Sequence, residues 1–293
     1  MSPKNVVTPA PLLEQIQAFW PETKRTRIKQ WLRFGAVHVN DRVVTRHDHP
    51  LQAGDVIAIR PQKAPPPAPP LPSGVHVLFE DASVLVIHKP SGLLTVATDT
   101  ERERTAFRFL TDYVRETTRD GRARLWIVHR LDRETSGLLV LAKSEEAKLF
   151  LQENWNRAVK TYQAVVEGKP AADEATLRND LDETQPHRVY AAARPGPTTR
   201  EAVTRYRVLR SGYGRSLLEV VIETGRRHQI RVQLAAAGHP IVGDTTYGGK
   251  PASGTRRLAL HATALRFPHP DSTRELSFES PLPADLAKLV PGS

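Results

Sequence analysis

Residues 61–72 read Pro-Gln-Lys-Ala-Pro-Pro-Pro-Ala-Pro-Pro-Leu-Pro, seven prolines in twelve positions. Proline fixes φ and has no backbone N–H, so neither a helix interior nor a central strand can run through this stretch. It takes the extended polyproline conformation, and twelve residues at about 3.1 Å each reach roughly 37 Å. The run therefore divides the chain into a small domain over 1–60, a proline-rich linker over 61–74 and a main domain over 75–293. A docking motif for a proline-binding partner is the other reading, but its position between two patterned stretches already accounts for it as a spacer.

Ahead of the linker the pattern is densest over 24–60. Ile28, Trp31 and Leu32 recur at helical spacing and Gly35 can end the helix, while Val37 with Val39, and Val56 to Ile59, read as short strands. Lys24, Arg25, Arg27 and Lys29 fall on the outward side of that helix. Four cations so close together form either a phosphate-binding edge or a solvated face. Composition bears on the choice: 42 Lys and Arg face 32 Asp and Glu, a net charge of +10, and arginine predominates. Guanidinium groups pair bidentately with phosphate and stack on bases, which suits a nucleic-acid partner, but a coding bias toward Arg, Ala and Pro explains the composition equally well. No apolar run approaches the roughly 18 residues of a membrane helix, and the first residues lack a signal-peptide layout. With no cysteine, disulfides and thiolate metal sites are excluded, and the expected compartment is the cytoplasm. No obligate protein partner is evident.

The main domain reads as many short strands, among them 75–79, 84–88, 125–131, 138–142, 161–167, 216–223 and 257–261, with a few helices between. No regular alternation of strand and helix appears, so an α+β fold on a mixed, largely antiparallel sheet is expected. The sharpest stretch is Leu125-Trp-Ile-Val-His-Arg-Leu-Asp-Arg-Glu-Thr-Ser-Gly-Leu-Leu-Val-Leu-Ala-Lys143. Read with period two, it is a strand ending at Asp132, a turn at Thr135-Ser-Gly137, a second strand, and a helix capped by Ser144 that runs to about Arg157. Alternation places Trp126, Val128, Arg130 and Asp132 on one face and His129 on the other, where a packing role suits it better than an acid–base one. Residues 226–237 read as a helix with Ile230 and Leu234 buried and Gly238 as its stop.

Two resemblances follow from these blocks. Residues 24–60, through Gly35-Ala-Val-His-Val-Asn40 and Gly54-Asp-Val-Ile57, are similar to the S4 RNA-binding domain. His129-Arg-Leu-Asp-Arg-Glu-Thr-Ser-Gly137 and its following strand resemble the signature of the RluA-type RNA pseudouridine synthases. Further matching blocks are Lys89-Pro-Ser-Gly-Leu-Leu94, Lys160-Thr-Tyr162, Thr224-Gly-Arg-Arg-His-Gln-Ile-Arg-Val232, Gly238-His-Pro-Ile-Val-Gly-Asp244 and Leu258-Ala-Leu-His-Ala262.

The second resemblance implies a reaction that detaches uracil from C1′ of its ribose, turns it and rejoins it through C5, with no cofactor and no metal. It also implies that Asp132 is the essential carboxylate, acting on C1′, on the ring or on the C2′ proton. Tyr162 then stacks on the flipped base and relays a proton, and Arg231 pairs with Asp132. Arg130 is a candidate for contacting the RNA beside the flipped nucleotide, and the arginines at 102, 104, 108, 115, 119, 122 and 124 are a second basic stretch. Arg227 and Gln233 depart from the commonest family wording. An S4-like domain ahead of such a synthase implies ribosomal RNA of the large subunit before tRNA. The competing readings are a catalytically inactive RNA-binding or ribosome-assembly factor, which has no physical need to keep Asp132, Tyr162 and Arg231 together, and a carboxylate-dependent nucleoside hydrolase.

Overall fold

The computed structural model describes residues 2–33, 35–60, 70–118, 123–186, 188–251, 255 and 257–291. Most of the proline-rich linker (61–69), together with Arg119 and Arg122, lies outside the described residues. The chain divides into two compact units, residues 1–70 with 112–123, and residues 71–111 with 124–293.

The first unit contains β1 (Lys4–Asn5), α1 (Leu12–Phe19), α2 (Arg25–Arg33), β2 (Val37–Val39), β3 (Arg42–Val43) and β4 (Val56–Ile59). The strands form an antiparallel sheet in the order β1-β4-β2-β3. Ile28 and Leu32, one helical turn apart on α2, meet Leu12 and Ile16 of α1 and the inner residues Val37, Val39, Ile57 and Ile59 of the sheet. Gly35 takes φ +63 and donates its N–H to Leu32 O, closing α2 in the left-handed conformation that glycine adopts most cheaply. Since Val6 and α1 supply part of this core and β1 pairs with β4, the module begins near residue 4, ahead of the 24–60 stretch legible as its centre. Lys24, Arg25, Arg27 and Lys29 are exposed.

The second unit runs β5 (His76–Glu80), β6 (Val84–Lys89), α3 (Ala106–Thr117), β7 (Trp126–Ile127), β8 (Ser136–Ala142), α4 (Glu145–Glu153), β9 (Val159–Glu167), β10 (Glu174–Asp182), β11 (Tyr190–Ala192), β12 (Thr199–Gly212), β13 (Arg215–Ile222), α5 (Gln229–Ala236), β14 (Leu260–Pro268), β15 (Glu275–Glu279) and α6 (Ala284–Ala287). Of these, residues 112–117 of α3 fall to the first unit. Among the described residues the large sheet has eleven strands, in the order β11-β10-β12-β13-β9-β14-β8-β6-β5, with β15 beside β14 and β7 beside β8. Among the described residues only β14 and β8 of this sheet pair in parallel, and its other strand pairs are antiparallel. This is the mixed α+β architecture expected from the strand-rich sequence. Among the described residues no helix is long and apolar enough to cross a membrane.

One cross-strand row positions the site. Gly137 of β8 stands opposite Ala262 of β14, which stands opposite Tyr162 of β9, which stands opposite Val220 of β13. At Gly137 φ is +116, and a Cβ there would lie 2.2 Å from Ala262 O. Only a residue without a side chain lets the start of β8 approach β14 so closely. The turn that precedes β8 is thereby brought to the middle of the sheet.

That turn corrects the period-two reading. Of residues 125–131 only Trp126 and Ile127 form strand, because Leu125, Val128 and Leu131 are all buried and no alternation survives. Arg130 is exposed while Trp126 and Val128 join the core cluster, so Arg130 and Asp132 do not share a face with them. Asp132 sits in a turn, closed by Thr135 N–H donating to Asp132 O at 3.2 Å, and the turn spans 132–135 instead of 135–137. The helix after β8 is also shorter than expected. Ser144 caps it by accepting from Ala147 N–H at 3.0 Å, but α4 ends at Glu153 and a separate 3-10 turn covers Trp155–Arg157. Finally, the strand expected over 257–261 begins only at Leu260, and the helix expected from 226 begins at Gln229, because His228 is left-handed.

Candidate active site

The segment 131–134 owes its shape to the Lys89-Pro-Ser-Gly-Leu-Leu94 loop rather than to a strand neighbour. Lys89, fully buried, donates from Nζ to the carbonyls of Pro90 (2.9 Å), Leu93 (2.7 Å) and Arg133 (3.1 Å). Ser91 Oγ donates to Glu134 O, Gly92 N–H donates to Arg133 O, and Thr95 Oγ1 both donates to Leu131 O and accepts from Leu131 N–H. The backbone around Asp132 thus trades a sheet ladder for contacts from one loop. Burial pushes the Lys89 ammonium down to about 7, while the carboxylates of Glu134 and Asp132 pull it up. Lys89→Met keeps the length and removes the donor, leaving the carbonyls of Pro90 and Leu93 without this partner, while Arg133 O keeps Gly92 N–H. At about 1–3 kcal/mol for each such group, a loss of roughly 2 kcal/mol or more in urea unfolding is expected. A midpoint equal to that of the parent would show that the turn does not depend on the ammonium.

Arg231 reaches this turn from α5. Its Nη1 donates to Asp132 Oδ2 at 3.1 Å, and its Nε and Nη2 form a fork on Asp244, to Oδ2 at 2.7 Å and Oδ1 at 2.9 Å. The Asp244 side chain is 1% exposed and that of Asp132 27%, so one carboxylate anchors the guanidinium and the other remains open to a ligand. Arg231 overcomes its own burial through these two partners, which raise its pKa above the usual arginine value. Among the described residues no hydrogen bond reaches Asp132 Oδ1, so the open oxygen is the one turned away from Arg231.

Tyr162 is buried, with 8% exposure. Burial and, second, the Asp132 charge push its hydroxyl well above the ordinary phenol range, so it stays neutral. A neutral phenol can stack or donate but is not a standing base. His129 is half-buried and stacked on Trp155 at 4.8 Å, and its Nε2 accepts from Val140 N–H at 3.2 Å. Burial brings its imidazole down to about 3, consistent with the packing role read from the sequence. Arg130 is exposed, and among the described residues no hydrogen bond or ion pair joins it to Asp132.

The two departures from the family wording are structural. Arg227 donates to the carbonyls of Glu183, Gln185 and Pro186, and its N–H to Glu183 Oε1, tying down the connection that leads from β10 to β11. Gln233 accepts from Thr204 Oγ1 at 2.6 Å and donates to Ala202 O at 3.0 Å, fastening α5 to β12. Three residues near Asp132 escaped the sequence reading as individuals. Asp244 and His228 lie inside blocks that match the family, and Tyr247 just beyond one, without a spacing that marks them individually. His228 Nε2 is 4.0 Å from Asp132 Oδ2, and the Tyr247 ring lies 5.2 Å from the Arg231 guanidinium. Among the described residues no group of three or more His, Asp or Glu side chains is arranged to hold a metal ion.

Residues 83–236 match the RNA pseudouridylate synthase family model. The chain is 34% identical over 287 residues to ribosomal large subunit pseudouridine synthase D of Neisseria meningitidis serogroup A, covering 92% of this chain and 75% of that one. Its identity to the protein of the same name in Escherichia coli K12 is 32%, covering 94% and 88%. Among solved structures, human RNA pseudouridylate synthase domain containing 4 superposes with a TM-score of 0.59 at 25% identity, covering 72% of this chain and 91% of that one. The buried guanidinium fork, the open carboxylate and the sheet beneath them thus sit in a chain that belongs to the RNA pseudouridylate synthase family, enzymes that isomerise uridine in RNA to pseudouridine.

Proposed function

We propose that this chain isomerises uridine in large-subunit ribosomal RNA, in the cytoplasm, with Asp132 as the reactive carboxylate. The observation that carries the reading is a carboxylate held through Oδ2 by a pinned arginine, with Oδ1 open and a buried tyrosine nearby. In the overall change the C1′–N1 bond breaks, uracil turns and a C1′–C5 bond forms; the C5 proton leaves and a proton is gained at N1. Atoms and electrons balance without an oxidant or reductant. Attack at C1′, addition to the ring and removal of the C2′ proton all call on the same open oxygen. Tyr162 offers the flipped uracil a stacking face, and Arg231 orients Asp132 through its hydrogen bond to Oδ2. A stacked uracil cannot turn, so the base leaves the RNA helix at a cost of a few kcal/mol, which phosphate contacts offset.

Ribosomal RNA is favoured by the names of the relatives and by the S4-like pattern of the N-terminal module. Mapping pseudouridine across all cellular RNAs with and without the gene tests it. A large-subunit position should lose its modification and regain it with the parent chain but not with Asp132→Asn. Loss confined to tRNA would move the target, and no loss anywhere would favour the inactive assembly-factor reading.

The cations of α2, with Lys24 just before it, serve RNA binding in this proposal. Replacing Lys24, Arg25, Arg27 and Lys29 together with alanine should raise KM and leave kcat in place. If each touches a phosphate of single-stranded RNA, the slope of log binding constant against log salt should flatten by about 3. An unchanged slope would assign these four side chains to solvent.

A further inference from the structure

His228 stands immediately before α5 with φ 54, a left-handed conformation uncommon for a residue with a side chain. Its two ring nitrogens meet different groups. Nε2 lies 4.0 Å from Asp132 Oδ2, and Nδ1 lies 2.9 Å from Tyr247 Oη. The Tyr247 oxygen in turn accepts the N–H of Val189 at 2.9 Å, and Val189 is fixed in a cluster with Val232 of α5 and with Leu181 and Ala202 of the sheet. With Val189 already donating to it, the phenol has its single proton to give to Nδ1. An imidazole that accepts at Nδ1 carries its hydrogen on Nε2. The other end agrees, because an Nε2–H facing a carboxylate is attracted to it, whereas an Nε2 lone pair would be repelled.

We propose that the chain Val189–Tyr247–His228 fixes His228 as the neutral Nε2–H tautomer. This N–H then joins Arg231 in holding Asp132 by Oδ2, so that Oδ1 is presented to the nucleotide. His228 is a positioning residue, and the proposal rests on Asp132 being the reactive carboxylate. The charged and titratable groups facing the imidazole are Asp132, Arg231, Arg227, Asp244 and Tyr247. Burial and the two arginines lower its pKa, and the two carboxylates oppose them, so protonation belongs to the acid side of the pH profile. There an imidazolium would put hydrogen on Nδ1, displace the tyrosine proton and bind Asp132 as a full ion pair.

The test uses the full chain. In 15N spectra of histidine-labelled protein, the His228 signals, identified by their loss in His228→Gln, should show Nδ1 in the unprotonated range and Nε2 in the protonated range at neutral pH. Tyr247→Phe should convert this into a mixture of tautomers. In turnover, Gln places an N–H at the Nε2 position and Asn places one at the Nδ1 position. His228→Gln should therefore retain kcat within about threefold, while His228→Asn and His228→Ala lose about tenfold or more with KM nearly unmoved. The acid limb of kcat should shift in His228→Gln, which has no group to protonate there. A hydrogen on Nδ1 in the parent, or equal kcat for the Gln and Asn variants, overturns the proposal. Full turnover in Asp132→Asn would instead overturn the reading of the carboxylate and leave the measured tautomer standing.

Discussion

Asp132→Asn should cut turnover by about 10⁴-fold or more while leaving the protein folded and able to bind RNA. The amide is nearly isosteric and can still present an oxygen to Arg231 Nη1, which lies 3.1 Å from Oδ2 in the parent. Arg231 keeps its fork on Asp244, so no buried charge is orphaned and stability should move by only about 1 kcal/mol. What disappears is the negative charge on the open oxygen, and an amide is a poor nucleophile and a poor base. Because the isomerisation expels the C5 hydrogen, tritium release from RNA labelled at C5 of uridine reads turnover directly. Filter binding of the same RNA reads affinity, and thermal unfolding reads the fold. Release at the parental rate would remove Asp132 from the chemistry. Release lost together with binding and cooperative unfolding would mean that the substitution had damaged the site as a whole.

The contrast between what the sequence disclosed and what it hid follows from where the stabilising contacts come from. Helix α5 was legible because Ile230 and Leu234 repeat at helical spacing and Gly238, at φ +84, stops the chain. The parallel meeting of β8 and β14 was not, because its determinant is the missing side chain at Gly137 packed against Ala262, a residue 125 positions further on. The turn at Asp132 was misread as the end of a strand for the same kind of reason. Alternating apolar residues predict a strand only if neighbouring strands take up the backbone, and here Lys89, Ser91, Gly92 and Thr95 take it up first.

The arginine surplus divides in a way composition cannot reveal. Arg178, Arg205 and Arg207 are spent on Glu201, Glu223 and Glu219 across neighbouring strands, and Arg257 on Asp285. Arg227 and Arg231 are consumed inside the fold. The exposed cations of α2 and Arg130 carry no such partner among the described residues. An excess of +10 is therefore a weaker guide to an RNA surface than the identity of the arginines left over.

Asp244→Asn should have the second-largest effect, and it separates anchoring from chemistry. Asp244 receives two N–H groups of Arg231 and is the more deeply buried of its two carboxylate partners. An asparagine can accept one of those hydrogens, but its own NH2 then faces the other. Breaking a buried pair from one side leaves a charge without compensation, and about 3 kcal/mol of stability should be lost. The freed guanidinium has one carboxylate left, Asp132, and a fork on both of its oxygens would occupy Oδ1 as well as Oδ2. Turnover should then fall about 10²-fold by misplacement of an otherwise intact carboxylate. Combining Asp244→Asn with Arg231→Met distinguishes this from general damage. If the arginine and Asp244 act as one unit, the double variant should unfold close to where Asp244→Asn alone does, and the two stability losses should fail to add. Additive losses, or an Asp244→Asn variant with parental turnover, would show that Asp132 is held in place by something other than this fork.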